Sequence, residues 1–138
     1  HILARAALDL GASLSTSPSG CMLRIVEIEP LFKAVEPELT LRLGATALKG
    51  WSGAISIETD VGKVDIAFER GRAKVGEHSR SPLVVRISQS LLVQLLTGYR
   101  EPADFIGRPD FQAPDKAIPV LRALFPRGHP HVCPADGF

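Results

Sequence analysis

The residues best suited to chemistry lie near the C-terminus. His129, His131 and Cys133 alternate with single residues, so on an extended chain their side chains share one face. Imidazole nitrogen and thiolate sulfur are zinc ligands, but a closed structural site needs four. No fourth ligand lies nearby, and Pro130 and Pro134 restrict the backbone around the set. A polar tail laid on the surface explains these residues better, and no metal is assigned. Serine, histidine and aspartate are all present, yet no nucleophile elbow or comparable local signature joins them. The glycines between Gly44 and Gly53, and Gly71 before Arg72, form neither a phosphate loop nor a G-x-G-x-x-G. They read as turn glycines. Asp104, Asp110, Asp115 and Asp136 read as caps and turn formers. A complete catalytic constellation inside this chain is not expected.

Apolar residues offer a second kind of site. From Trp51 to Ser88 they alternate with polar ones, the period of a strand with one buried face. Ile55, Ile57, Val64, Ile66, Phe68, Leu83 and Val85 would share that face. Leu92, Leu95, Phe105 and Leu121 come from segments that must cover it. Such a surface under amphipathic helices can enclose an apolar ligand. The same residues can simply pack on one another, which is the norm in protein interiors. Trp51, the single tryptophan, either lines such a groove or anchors the sheet edge.

The elements that position these residues follow from patterning. Ile2, Leu3, Ala6, Ala7 and Leu10 fit one helical face, with Gly11 to end it. Ser13 to Gly20 is rich in Ser, Thr, Pro and Gly and reads as a loop or linker. Cys21 to Ile28 is β-like. Pro30 suits a first helical turn, and Leu31, Phe32 and Val35 follow at helical spacing. Pro37 breaks that helix or starts a second turn. Leu39, Leu41 and Leu43 alternate like a strand, yet Leu39 and Leu43 are also one helical turn apart; the Pro37-Glu38 start favours helix. Val61-Gly62 and Arg70-Gly71 separate strands as hairpin turns, which predicts an antiparallel meander running on through Arg72–Val75 and Leu83–Ile87. Ser88 or Ser90 caps a helix with Leu91, Leu92, Leu95 and Leu96 buried, and Gly98 closes it. Pro102 starts a short turn carrying Phe105 and Ile106. Asp115 caps a last helix bearing Ile118, Leu121, Leu124 and Phe125, which Pro126 ends. The fold class is therefore α+β: a largely antiparallel five-stranded sheet with helices packed on one face.

Composition excludes several partners. The chain has 138 residues, 45% of them hydrophobic and 22% charged, with a net charge of +1. One domain with a real core is expected. Lys and Arg are scattered singly, so there is no case for nucleic acid. No apolar run approaches the ~20 residues of a membrane span. The two cysteines, Cys21 and Cys133, lie far apart, which suits a reducing, cytoplasmic setting.

Three stretches carry a family resemblance: Gly20-Cys-Met-Leu-Arg-Ile-Val-Glu-Ile-Glu-Pro-Leu-Phe32, Ser90-Leu-Leu-Val-Gln-Leu-Leu-Thr-Gly-Tyr99, and Leu121-Arg-Ala-Leu-Phe-Pro-Arg-Gly-His-Pro-His131 running on to Asp136-Gly-Phe138. In that order and spacing they resemble the C-terminal sterol-carrier-protein-like domain that follows GNAT-type N-acetyltransferase domains, the Eis-like enzymes among them. The resemblance covers residues 21–138. It implies that 1–20 are the remnant of a preceding acetyltransferase domain plus a linker. It also implies a parent enzyme using acetyl-CoA, with no cofactor held by this fragment because the coenzyme-binding loop is not in its sequence. In Eis-like enzymes the terminal carboxylate acts as a base toward the acceptor amine, a role that would fall here to Phe138. The implied partners are the preceding domain, an apolar small molecule and further copies of the chain.

Overall fold

Apolar spacing decides the longest element. Ile28, Leu31, Phe32, Val35, Leu39 and Leu43 are buried along α1 (Ile28–Gly44), while Leu41 is 69% exposed. That is a helical stripe, not strand alternation, so Leu39–Leu43 is helix as expected. Pro30 sits in the first turn, where its missing N–H costs nothing. Pro37 does not break the helix; α1 runs through it unbroken. The computed structural model describes residues 14–17, 20–80 and 82–128. The helix expected over Ile2–Leu10, the His129–Cys133 set and Phe138 lie outside the described residues.

Ahead of α1, β1 (Leu14–Ser17) pairs antiparallel with β2 (Gly20–Leu23) as a separate two-stranded sheet. This corrects the loop expected over Ser13–Gly20. It also shortens the β segment expected to Ile28, which ends at Leu23 and does not join the larger sheet. That sheet holds β3 (Gly53–Thr59), β4 (Gly62–Glu69), β5 (Arg72–Val75), β6 (Leu83–Ile87) and β7 (Phe111–Gln112), in the order β5-β4-β3-β6-β7. Two-residue turns join β3 to β4, at Asp60-Val61 and not at the expected Val61-Gly62, and β4 to β5, at Arg70-Gly71 as expected. Arg70 and Gly71 both have positive φ, 50° and 80°, as a type I′ turn requires.

The meander stops at β5. The β6 strand pairs parallel to β3, so the sheet is mixed; the other three pairings are antiparallel. The register explains how seven residues suffice for the crossover. Val75, Ile66, Ile55 and Leu83 form one row across four strands. Residues 76–82 need only cross about 14 Å sideways at strand spacings of ~4.8 Å. Residues 76–80 lead over the face opposite the helices, where His78 meets Asp65. The fifth strand, β7, occupies a stretch in which no strand was expected.

Burial alternates as expected along β4, β5 and β6, whereas Ala54–Ile57 of β3, the central strand, are buried in succession. Ile55, Ile57, Val64, Ile66, Phe68, Ala73, Val75, Val85 and Ile87 enter one core cluster. Above them α1 lies across β4 and β5 and packs on α3 (Ala117–Leu124). Between β6 and β7 come α2 (Gln89–Leu96) and a 3-10 turn (Pro102–Phe105). Ser88 caps α2 by accepting the Leu91 N–H, and Gly98, at φ 75°, follows its end. Asp115 does not cap α3: Lys116 holds that position, and the Asp115 backbone carbonyl accepts from Ile118. Arg42 bridges two helices, pairing with Glu38 at 3.0 Å and donating to the Leu124 carbonyl at the end of α3. Phe32 meets Phe125 edge-on, with ring centroids 6.3 Å apart.

Candidate functional site

The residues expected to bind an apolar ligand are brought together, but against one another. Ile55, Ile57, Val64, Ile66, Phe68, Val85, Leu92, Leu95, Phe105 and Leu121 are each at most 3% exposed and belong to one cluster. Leu83 and Trp51 are half-buried against it. Trp51 lies over Gly53, with its ring centroid 5.5 Å from that of Phe68. A side chain at position 53 would collide with the indole, so the glycine is the seat for the tryptophan at the end of the strand.

Three cavities among the described residues lie elsewhere. One apolar notch of about 10 Å³ opens beside Ile25, Leu31, Val93 and Leu96, where β2 leads into α1 and faces α2. It has room for roughly one water. Two open polar clefts lie at the β6–β7 side of the sheet. The first, of about 400 Å³, lies beyond the ends of β3 and β6 and is lined by Glu58, Asp60, Arg86, Ser88 and Asp110 among others. The second, of about 350 Å³, shares Glu58, Arg86 and Gln112 with it and extends to Ala113 and Pro114. None of these three spaces is lined by the twelve apolar residues singled out from sequence.

The larger cleft is built from strand and helix ends. Asp60 accepts the Gln89 N–H at 2.6 Å, and the Ser88 N–H donates to the Asp110 carbonyl at 3.0 Å. Arg108 grips Asp110 through two nitrogens, at 2.9 and 3.1 Å. That contact holds the Asp110 carboxyl below the usual carboxylate range and raises the Arg108 guanidinium. Arg86 Nε donates to Glu58 at 3.0 Å.

Another polar cluster lies under the crossover. Ser56 and Asp65 face each other across β3 and β4, and His78 Nδ1 is 2.5 Å from Asp65. Burial pushes the Asp65 carboxyl up. The Ser56 hydroxyl, the His78 ring and Lys63, 3.6 Å away, together outweigh burial and hold it below its ordinary value. Ser56 is 1% exposed, and its hydroxyl has no well-aligned partner even though it lies beside that carboxyl. Residue types and positions do not make a hydrolytic triad. Serine approaches the aspartate instead of the imidazole, so no nucleophile stands beside a base. The cluster fastens residues 76–78 to the sheet, helped by the Gly76 N–H donating to the Asp65 carbonyl at 2.8 Å.

Neither polar cluster was singled out from sequence. One signal was present. A two-residue turn at Asp60-Val61 sets Thr59 opposite Gly62 and therefore Ser56 opposite Asp65. His78, Asp110 and Gln112 come from loops or a two-residue strand, where alternation says nothing. Among the described residues there is no group of three or more His, Cys, Asp or Glu side chains placed to hold a metal. Nor is any helix among them long and apolar enough to cross a membrane. No protein-family model, curated protein or solved structure matches the chain.

Proposed function

We propose that this chain is an accessory domain of the sterol-carrier-protein-like kind, attached to a cytoplasmic GNAT-type N-acetyltransferase. It shapes the acceptor side of the enzyme and carries the C-terminal segment whose last carboxylate, on Phe138, would serve as base. A terminal carboxyl ordinarily titrates at about 3.3–3.7, so it needs desolvation by the catalytic domain to act as a base near neutral pH. Acetyl-CoA belongs to the preceding domain, and copies of the chain associate through the whole enzyme.

One observation carries the choice between this reading and a carrier of apolar molecules. The apolar face is filled by its own helices, and the apolar notch described beside it measures about 10 Å³. Ligand pockets run to hundreds of Å³. The α+β layer, with a five-stranded sheet roofed on one face, agrees with what the resemblance implies.

The test uses isothermal titration with acetyl-CoA. The chain alone is expected to give no binding heat. The natural protein with its upstream segment is expected to bind the coenzyme and to lose acceptor turnover when residues 21–138 are removed. Tight coenzyme binding by the chain alone overturns the reading. So does full acceptor turnover without residues 21–138.

A further inference from the structure

The β3 and β6 strands are the parallel pair of the sheet, and the chain leaves them in opposite directions. From β3 it turns into β4 on one side; from β6 it runs through α2 toward β7 on the other. Such a divergence leaves a crevice beyond the carboxyl ends of the two strands, where open sheets bind ligands. Here that crevice is the cleft of about 400 Å³, adjoined by the one of about 350 Å³. Both are open to solvent, so a small molecule would lie in them partly exposed and be held chiefly by its polar contacts.

Its charges are arranged in two groups. Arg86 is 67% exposed and is oriented by Glu58 through Nε alone. Its two terminal nitrogens therefore remain as a fork that fits a carboxylate. Toward the start of α2, Asp60 gives one oxygen to the Gln89 N–H, and Asp110 stands beside Ser88. Glu58 is paired with Arg86 and Asp110 with Arg108, so among the described residues Asp60 is the lining carboxylate with no cation on it. A simple anion would meet Asp60, and a simple cation would meet Arg86. A molecule bearing both charges matches both ends.

We infer that this cleft binds a small zwitterion of the amino-acid class, its carboxylate on Arg86 and its ammonium near Asp60. Pro109, exposed at the cleft, supplies apolar wall for a side chain. The site does not depend on the acetyltransferase reading, and its failure would leave that reading untouched.

The experiment is a nitrogen–proton NMR titration of the 138-residue chain with three probes. These are L-leucine, L-leucinamide (ammonium only) and N-acetyl-L-leucine (carboxylate only). L-leucine is expected to give saturable shifts centred on residues 58–60, 86–88 and 109–112. Each analogue should bind at least about tenfold more weakly, because each loses one charge-assisted contact. Arg86→Gln should weaken L-leucine binding by a similar factor. Absence of saturable shifts, equal affinity for all three probes, or unchanged binding in Arg86→Gln overturns the site. Arg86→Lys keeps the charge but not the fork, and serves if Arg86→Gln disturbs the fold. Weakened L-leucine binding there supports the site, and unchanged binding overturns it.

Discussion

The outer edge of β5 gives the sharpest prediction. An edge strand presents unpaired N–H groups that can recruit another chain. Here α1 covers two of them with side chains. Glu36 Oε2 accepts the Val75 N–H at 2.8 Å, and Thr40 Oγ1 accepts the Ala73 N–H at 3.0 Å. Val75 is 9% exposed, so water cannot readily replace the carboxylate. Truncation by Glu36→Ala removes a charge-assisted acceptor and leaves a mostly buried donor unmet, a loss of about 2 kcal/mol. For a domain of this size that is a fall in Tm of roughly 6–8 °C. Glu36→Gln keeps an acceptor and should cost less than about 1 kcal/mol. Urea unfolding followed by circular dichroism measures both, and light scattering reports whether the bared edge drives association. A Glu36→Ala variant within about 0.5 kcal/mol of the parent would refute the reasoning.

Further outcomes follow from the same structure. Leu39→Ala should destabilise by about 2–5 kcal/mol, while Leu41→Ala, on the exposed side of α1, should stay within about 0.5 kcal/mol in the same unfolding assay. Equal losses at the two positions would contradict the helical stripe. Asp65 is held below its ordinary pKa in the folded chain. It therefore contributes stability above the ordinary carboxylate range, and that stability is lost as pH falls through the folded value. Asp65→Asn should thus be less stable than the parent near neutral pH and show a flatter loss of stability below about pH 4; an acid limb as steep as the parent's would contradict the assignment.

Much of the layer was legible in the sequence because burial imposes a period. Leu39 and Leu43 against Leu41 resolve as helix once one side must face the sheet. Leu83, Val85 and Ile87 were readable as a strand, but alternation carries no information about which strand pairs with which, or in what direction. The parallel partner of β6 depends on the segment after β5 crossing the polar face, where it is held through His78 and Asp65, thirteen positions apart. The β7 strand has two residues, too few for any period. Leu14–Ser17 was hidden by its Ser/Thr content, which suits loops and strands alike. The clefts were invisible for a related reason. Their lining side chains come from β3, β6 and the 109–112 segment, and only the sheet order makes them neighbours.

Native mass spectrometry of the chain after gentle purification tests the central claim most directly, because a filled interior has no room for cargo. A packed core gives a species at the mass of the bare chain, 14.8 kDa, with no apolar adduct. A stoichiometric lipid-like adduct that survives desalting would contradict it, and would make the helix-covered face a container instead of a packed core.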